Sequence, residues 1–338
     1  MRSLHELTPI GRGRRLRPFA ASLLTEYGID HARLRQVTEA SNIIYHVSSN
    51  QRGEFALRMT APKSCHDPTD IQSEVAWLRA LARETDLGIA EPMARLDGRY
   101  VTTVSPSQDG NPISCVLFRW VPGVMLDERL TPDNVAQMGS LMARLHEHAA
   151  TFEPPDGFRI RRYSSVFPYA DLAFEQIEPI VLFEAGPNAA LSEEQRRLFK
   201  QALQLAESEI QALGFDSSEI RVIHNDLHMW NVKVAKNRLY ALDFEDMMWG
   251  HPLQDVATTL YYFRWDDRFE VMRDAFRRGY MAVRPWPEQH EGQLEILMAG
   301  RMLLLANYVA ASEDAEDKAF APEYLARVEG RLREILDQ

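Results

Sequence analysis

Residues 220–245 carry the sequence that decides the fold: I-R-V-I-H-N-D-L-H-M-W-N-V-K-V-A-K-N-R-L-Y-A-L-D-F-E. Short apolar runs flank Lys236-Asn237, a pattern that predicts a β-hairpin. The hairpin would follow a loop that begins at Asp226 and ends at Asn231, and it would return the chain to Asp243. Asn231 and Asp243 would then offer two oxygen ligands to a hard cation, with the carboxylate of Asp226 nearby.

Magnesium-dependent phosphoryl transfer requires this combination of side chains. The metal ion neutralises charge on the phosphates, while an aspartate orients the acceptor hydroxyl and takes its proton. The stretch from His224 to Asn231 fits H-x-D-x-x-x-x-N, which a chain of this composition seldom contains by chance. A structural polar loop with a chance match is the alternative interpretation.

The local sequence patterns change character near Pro122-Gly123. Before this point we expect an opening helix and several strands, over residues 16–27, 34–60, 100–104 and 114–120. After it, helix-start signals dominate, with Thr131-Pro132 opening one long helix and Ser192 another. The sequence therefore predicts an α+β chain with a small, strand-rich N-terminal lobe, residues 1–119, and a larger, mainly helical C-terminal lobe, residues 120–338.

One predicted helix places a carboxylate where the core should be. Thr69 and Gln72 fit a capping box, which predicts that this helix begins there. Glu74 lies on its apolar stripe, three residues after Ile71 and four before Leu78. Because burying a carboxylate alone is costly, Glu74 needs a cation or a hydrogen-bond donor as its partner. Local inconsistencies of this kind are often functional.

The motifs resemble those of the aminoglycoside phosphotransferase and choline kinase-like family. Its members show H-G-D-x-x-x-x-N, then I-D-[FL]-[DE]-[DE], then G-x-x-x-x-D-[LV]-A, and the corresponding stretches here are 224–231, 242–246 and 250–257. The likeness runs from about Leu34 to Tyr262. It implies a two-lobed protein-kinase-like fold and an ATP- and Mg²⁺-dependent kinase acting on a hydroxyl of a small metabolite. A protein Ser/Thr kinase of the stress-response type and a non-catalytic nucleotide-binding regulator are the alternatives.

The resemblance also implies roles for individual residues of the motif region. Asp226 corresponds to the catalytic base of the family, and Asn231 and Asp243 correspond to its magnesium ligands. His224 would support the catalytic loop. Asp255 would hold backbone groups of the same loop, which is a structural role.

A nucleotide site in the first lobe follows from the same resemblance. Phe118–Trp120 would form the hinge whose backbone meets adenine. The family places a cation on the third strand, where it pairs with a glutamate of a helix. Arg58 occupies that position here and would form an ion pair with Glu74. A surface Arg58, with Glu74 bonded locally, is the alternative. Because the sequence contains no glycine-rich loop, the phosphates would be held less tightly or would be held by Ser41 and Asn42.

Composition favours a soluble cytoplasmic protein. The 338 residues carry a net charge of −11 without a dense basic run beyond the N-terminal arginines, which argues against nucleic acid as a partner. The apolar stretch Met298–Ala311 is interrupted by Arg301 and Asn307, so it predicts a buried core helix and no membrane partner. Two cysteines and no apolar run behind the N-terminal arginines favour the cytoplasm. The sequence does not indicate an oligomeric state.

The charge of the chain is unevenly distributed. Residues 1–119 have a net charge of +2 and residues 120–338 a net charge of −13. A helical lobe with this field would attract a cationic acceptor, such as an amino alcohol, a hydroxy-amino acid or an aminoglycoside-like compound. Aromatic residues would add cation–π contacts: Trp230, Trp249, Tyr261 and Trp265. The alternative is that the acidic residues only solvate outer helix faces.

Overall fold

The computed structural model describes residues 4, 7–39, 42–60, 64–105, 112–170, 178–186, 189–214 and 218–337. The strands are β1 (Arg33–Glu39), β2 (Asn42–Ser49), β3 (Gly53–Thr60), β4 (Val101–Val104), β5 (Ile113–Arg119), β6 (Val124–Met125), β7 (Arg221–Ile223), β8 (Val232–Ala235), β9 (Arg238–Ala241) and β10 (Met248–Gly250). The α-helices are α1 (Pro9–Thr25), α2 (Pro68–Glu84), α3 (Pro132–Thr151), α4 (Glu193–Ala212), α5 (Pro252–Phe263), α6 (Phe269–Met281), α7 (Gln293–Ala311) and α8 (Ala315–Leu336).

Strands β1–β5 form an antiparallel sheet in the order β1-β2-β3-β5-β4. Every second residue of β2 is buried, as the alternation Ile43, Tyr45, Val47 predicts, and the Tyr45 hydroxyl donates to the carbonyl oxygen of Gly13 in α1. Apolar residues of α1 complete the same core, Leu16 among them. This sheet therefore has one side closed by the opening helix.

The hairpin predicted around Lys236-Asn237 is formed by β8 and β9. Lys236 and Asn237 both have positive φ angles, 50° and 61°, as a two-residue hairpin turn that follows the strand twist requires. β6 pairs with β8 on the other side. Just before β6, Gly123 has a φ of 99°, and a Cβ there would lie 2.2 Å from the carbonyl oxygen of Val234, so only glycine fits this approach.

Helix starts follow the sequence signals in most places. α3 begins after Thr131 and α4 after Ser192, both as predicted. The predicted start of α2 at Thr69 is wrong, because the N-cap is Asp67, whose side chain accepts from the backbone N–H groups of Thr69 and Asp70. Asp67 is followed by a proline at the first helical position, which is a stronger start signal than Thr69 followed by Gln72.

The chain divides into two compact units that are each discontinuous in sequence. Unit 1 comprises Met1–Met125, Phe152–Arg159 and Val232–Glu245, and unit 2 comprises Leu126–Thr151, Ile160–Asn231 and Asp246–Gln338. Unit 1 contains the five-stranded sheet and the β8–β9 hairpin, while unit 2 contains α3–α8. The division into residues 1–119 and 120–338 stays a prediction.

Helix α7 is, among the residues described, the one that is long and apolar enough to cross a membrane. However, 56% of its apolar window is buried inside the protein, and the helix buries Arg301 and Asn307. A mostly buried apolar helix is also what the core of a soluble protein contains. The structure thus agrees with the core helix predicted for residues 298–311.

Candidate active site

The loop that follows β7 is held in place through hydrogen bonds to its backbone N–H groups. The carboxylate of Asp255, on α5, accepts hydrogen bonds from the N–H groups of His224 at 3.0 Å and Asn225 at 2.8 Å. His224 is fully buried, and its Nδ1 accepts from the N–H of Asp226 at 3.3 Å. Asn225 has a φ of 66°, which asparagine tolerates better than most residues and which explains the glycine of the resembled motif. These bonds fix the backbone from which the Asp226 side chain extends.

A buried histidine supports Asp255 from the other side. His146, on α3, donates from Nε2 to Asp255 at 2.9 Å, so its Nδ1 accepts from the Tyr280 hydroxyl at 2.9 Å. Burial lowers the pKa of His146 despite the neighbouring carboxylate. Burial alone would raise the pKa of Asp255, but hydrogen bonds and charge from His146 and the loop lower it overall. Asp255 therefore remains a charged acceptor for the two loop amides.

The Asp226 carboxylate contacts four side chains of unit 2. Its Oδ1 accepts from Arg301 Nη2 at 2.5 Å and from the Tyr262 hydroxyl at 3.4 Å. Its Oδ2 accepts from Asn231 Nδ2 at 3.0 Å, and His228 Nε2 lies 3.3 Å away. The side chain is nevertheless 17% exposed, so a small molecule can reach it. Asp226 is thus both fixed in orientation and accessible, as a general base requires.

Asn231 is oriented in a way that suits a cation. Its Nδ2 donates to the carbonyl oxygen and to Oδ2 of Asp226, both at 3.0 Å. Because the NH₂ group is used in these bonds, the amide oxygen is the atom left for a metal ion. Amide and carboxylate oxygens are ligands that Mg²⁺ accepts.

The other predicted metal ligand, Asp243, follows β9 in unit 1. It has a φ of 60°, an unusual conformation for a residue with a side chain, and its carboxylate is 44% exposed. Within the described ranges no group of three His, Cys, Asp or Glu side chains could hold a metal ion by itself. Mg²⁺ commonly binds one or two protein ligands and completes its shell with water and substrate phosphates, so an amide oxygen such as that of Asn231 and a carboxylate such as that of Asp243 are each donors of a suitable kind.

Two aromatic rings beside Asp226, those of His228 and Tyr262, pack together with the ring of Trp230 in unit 2. The ring centroids of His228 and Tyr262 lie 4.3 Å apart, those of His228 and Trp230 5.5 Å, and those of Trp230 and Tyr262 5.9 Å. Trp230 is 51% exposed, and its indole N–H donates to Asp127 at 2.9 Å. The backbone N–H of Trp230 donates to His228 Nδ1, so in the neutral ring the proton is on Nε2, which faces Asp226. We call these three rings and Asp127 the aromatic corner.

Of the four aromatic residues expected near an acceptor, Trp230 belongs to this corner. The described contacts of the other three are different. Tyr261 packs edge-on against Tyr262, with ring centroids 5.1 Å apart, and shares a hydrogen bond with Tyr324 at 2.6 Å. Trp265 packs against Tyr261 and Tyr324, and Trp249 lies in β10. Contacts of these three residues with an acceptor stay a prediction.

In unit 1, Arg58 and Glu74 form the predicted pair. Arg58 Nη1 donates to Glu74 Oε1 at 2.8 Å and Nη2 contacts the other oxygen, with side-chain exposures of 6% and 2%. Asp243 Oδ1 and Glu245 Oε2 each lie 4.0 Å from Nη1. Burial alone would lower the pKa of Arg58, but Glu74, followed by Glu245 and Asp243, raises it above the ordinary value. Arg58 is therefore a permanent cation beside the candidate metal ligand Asp243.

Asn42 lies in β2 and belongs to the same cluster. Its Nδ2 donates to Glu245 Oε2 at 2.7 Å, and its own amide oxygen is buried without a hydrogen-bond partner among the residues described. Asn42 therefore connects β2 to Glu245. Ser41, the second residue expected to hold phosphates, lies outside the described residues.

The predicted hinge, Phe118–Trp120, comprises the last two residues of β5 and the residue that follows them. Phe118 is buried with its ring 5.2 Å from Arg58, whereas Trp120 packs on His46 at 4.1 Å and on Lys233 at 4.5 Å. The N–H groups of Arg119 and Trp120 already donate to the carbonyl oxygens of residues 91 and 54. Backbone hydrogen bonds from this segment to a base would therefore have to come from other groups, such as the carbonyl of Trp120.

Several residues of these clusters were not predicted from the sequence, among them Glu245, Tyr262 and Arg301. Glu245 was visible as the third residue of D-F-E, but nothing local showed that it would contact Asn42. Arg301 was visible as a cation in an apolar stretch. A buried arginine requires an acidic partner, so this interruption was a usable signal.

Several known proteins are similar to this chain. The model of the phosphotransferase enzyme family (APH) matches residues 33–289. Amicoumacin kinase of Bacillus subtilis (strain 168) is 23% identical over 77% of this chain and 74% of its own length. Hydroxylysine kinase of Bos taurus is 21% identical over 85% of this chain and 81% of its own length.

Solved structures show the same fold. A microcompartment-associated aminopropanol kinase superposes with a TM-score of 0.79 and 25% identity, covering 95% of this chain and 97% of the other. An amicoumacin kinase in complex with AMP-PNP, Ca²⁺ and Ami has a TM-score of 0.74 and 15% identity, covering 93% of each chain. The predicted α+β, protein-kinase-like fold is confirmed by these neighbours, with its β-sheet N-terminal region and helical C-terminal region.

Proposed function

This chain belongs to the phosphotransferase enzyme family, and we propose that the hydroxyl it phosphorylates is carried by a small cationic amino alcohol. It is an ATP-dependent phosphotransferase that acts on a hydroxyl group of a small molecule, with ATP and Mg²⁺ as its cofactors. The observation that carries the cationic acceptor is the aromatic corner beside Asp226. A cytoplasmic location, without nucleic acid or membrane as partner, belongs to the same proposal.

The aromatic corner has the chemistry of a small ammonium site. The Trp230 ring is 51% exposed and could contact a cation, whereas the Tyr262 ring already has the Arg301 guanidinium 5.6 Å from its centroid; a cation–π contact contributes about 0.5–2 kcal/mol. Asp127, held by the indole N–H of Trp230, adds a negative charge beside that ring. Residues 120–338 have a net charge of −13, which is negative like that of Asp127 and would add to the attraction of a cation. The names of two similar proteins, an aminopropanol kinase and a hydroxylysine kinase, denote acceptors that carry an amine and a hydroxyl.

The proposed reaction uses Asp226, the two candidate magnesium ligands and the residues that support the catalytic loop. The acceptor oxygen bonds to the γ-phosphorus as the bond to the ADP oxygen breaks, and the hydroxyl proton passes to the Asp226 carboxylate. Asn231 and Asp243 would hold magnesium, which when bound neutralises phosphate charge. Asp255 keeps the loop in place, with His224 inside it, so that Asp226 meets the acceptor in a fixed orientation.

Nucleotide binding is assigned to unit 1. Arg58, held by Glu74, would contact phosphate oxygens, and Phe118–Trp120 would border the adenine. Asn42 would act indirectly through its bond to Glu245, and Ser41 stays a prediction from the sequence. Arginine can donate hydrogen bonds to two phosphate oxygens at once. This supports a phosphate-binding role for Arg58, at the position where the family places a cation.

The acceptor proposal is tested by comparing two matched alcohols, 1-amino-2-propanol and 1,2-propanediol. We expect kcat/KM to be about 10-fold higher for the amine, which corresponds to about 1.4 kcal/mol. The preference should shrink in high salt, because the Asp127 contribution is screened. Equal kcat/KM values for the two alcohols, at low and high salt alike, would contradict the cationic acceptor.

A variant pair locates the effect. Asp127→Asn should reduce kcat/KM for the amine several-fold and leave that for the diol unchanged, since only the amine carries a charge. Asp133→Asn, an exposed aspartate in the first turn of α3, is the matched control and should change neither value. If Asp133→Asn has the same effect as Asp127→Asn, the preference comes from the general field of the lobe and the aromatic corner is wrongly assigned.

A further inference from the structure

Helix α7 contributes a cation to the surroundings of Asp226. Arg301 lies 12 residues beyond the end of the family match at residue 289, in the part of the chain where the motifs gave no site residue. It is 8% exposed, and its Nη2 donates to Asp226 Oδ1 at 2.5 Å and to the Tyr262 hydroxyl at 2.9 Å. The Tyr262 hydroxyl in turn donates to the same Oδ1 at 3.4 Å, which closes a ring of three groups.

Burial of this arginine needs a functional or structural reason. Its Nε is buried without a hydrogen-bond partner among the residues described, so helix α7 incurs a cost for holding the group here. Burial alone would lower the pKa of Arg301, but Tyr262 and Asp226 raise it, so the side chain is a cation. Its charged hydrogen bond to Asp226 is the shortest contact in the cluster and, because both groups are ionic, the strongest kind.

A carboxylate has about four positions where its oxygens accept hydrogen bonds. In Asp226, Arg301, Asn231 and Tyr262 donate at 2.5, 3.0 and 3.4 Å, and His228 Nε2 lies 3.3 Å from Oδ2. An acceptor hydroxyl would take the remaining position or replace the contact of His228 or Tyr262, which are the longest of the four. The bonds from Arg301 and Asn231 then remain, one on each oxygen, and keep the carboxylate from rotating.

We infer that Arg301 is a positioning residue of the transfer reaction, which fixes Oδ1 of Asp226 so that the carboxylate meets the acceptor hydroxyl in one orientation. This inference rests on the proposed function, in which Asp226 takes the proton of the acceptor. Arg301 itself touches neither the nucleotide nor the acceptor in this account, and it acts through Asp226 alone.

The test measures kcat and the two KM values for Arg301→Met and Arg301→Lys. Arg301→Met removes the cation at similar length, and we expect kcat to fall about 10²-fold, the effect expected of a misplaced catalytic group. The KM for ATP and the Mg²⁺-dependent affinity for AMP-PNP, measured by calorimetry, should stay within threefold of the wild type. Arg301→Lys keeps a charge within reach of Oδ1, so its kcat should be at least tenfold higher than that of Arg301→Met. A purely structural arginine would not give this recovery together with unchanged nucleotide binding.

Arg264→Met is the matched control. Arg264 forms a partly buried ion pair with Glu295 of α7, at 3.3 Å, and it does not contact Asp226. This control should lower the thermal midpoint of unfolding and leave kcat within twofold of the wild type. If Arg301→Met does not fold, Arg301→Lys decides alone: kcat below the wild type by three- to tenfold with unchanged nucleotide affinity supports the inference, and wild-type kcat overturns it.

A double variant separates this inference from the proposed function. In an Asp226→Asn background the arginine no longer holds a charged base, so adding Arg301→Lys should change the residual rate less than twofold. An equal loss from Arg301→Lys in both backgrounds would show that Arg301 does not act through Asp226, and it would overturn the inference. Wild-type turnover by Asp226→Asn alone would instead refute the proposed base, whatever Arg301 does.

Discussion

Replacing Glu74 by glutamine should lower the free energy of unfolding by about 3 kcal/mol and raise the KM for ATP. Glu74 and Arg58 form a two-bond ion pair with side-chain exposures of only 2% and 6%. Glutamine keeps the size of the side chain and removes its charge, so the substitution tests the pair rather than the packing. The cation of Arg58 would remain buried with a neutral partner.

The size of the effect follows from the distances around Arg58. At 2.8 Å and an effective dielectric constant of about 20, the attraction of one carboxylate is roughly 6 kcal/mol. The variant also avoids the cost of burying that carboxylate, and broken buried pairs typically lose about 3–5 kcal/mol in total. Asp243 and Glu245 remain at 4.0 Å from Arg58 and keep it partly compensated, which favours the lower end of this range.

The assay combines urea unfolding with steady-state kinetics of ATP. Without Glu74, the guanidinium is drawn toward Asp243 and Glu245, and we expect the KM for ATP to rise about 10-fold, or about 1.4 kcal/mol. Glu84→Gln on the same helix is the control, since the Arg83–Glu84 pair is exposed and should contribute less than about 0.5 kcal/mol. Glu74→Gln with the unfolding midpoint and the ATP kinetics of the wild type would refute the reasoning.

Two further predictions concern the metal ion and the response to acid. Asp243→Ala should weaken AMP-PNP binding at least tenfold in Mg²⁺ but not in chelator; calorimetry showing equal losses in both would contradict its role as a ligand. Burial lowers the pKa of His251 from 6.5 to about 4. Between these two pH values the unfolded chain binds a proton that the folded chain does not bind. The free energy of unfolding therefore falls by roughly 3 kcal/mol between pH 7 and pH 4. His251→Asn, which keeps a side chain able to cap α5, should flatten this part of the urea-derived stability profile, and an unchanged slope would contradict the assignment.

Local patterns predicted those features that depend on residues close in sequence. The turn at Lys236-Asn237 follows from the preference of a short hairpin for positive φ angles, and the inward position of Glu74 follows from helical periodicity. The start of α2 shows the limit of such reasoning. Two capping signals lie within three residues of each other, and Asp67 prevails over Thr69.

Contacts between distant parts of the chain could not be predicted in the same way. Arg301 and Asp226 are separated by 75 residues, and their bond depends on how α7 packs within unit 2. The apolar sequence of α7 predicts burial but not the group that its arginine meets. The contact of Asn42 with Glu245 spans 203 residues and is equally invisible in the sequence.

The central claim is that Asp226 accepts the proton of a small alcohol while ATP supplies the phosphoryl group. Incubation with ATP, Mg²⁺ and 1-amino-2-propanol, followed by phosphorus NMR, measures formation of the phosphate ester directly. We predict that the wild-type protein forms the ester and ADP in equal amounts, and that Asp226→Asn forms it about 10²-fold more slowly while binding Mg²⁺ and AMP-PNP normally. Ester formation by Asp226→Asn at the wild-type rate would contradict the claim.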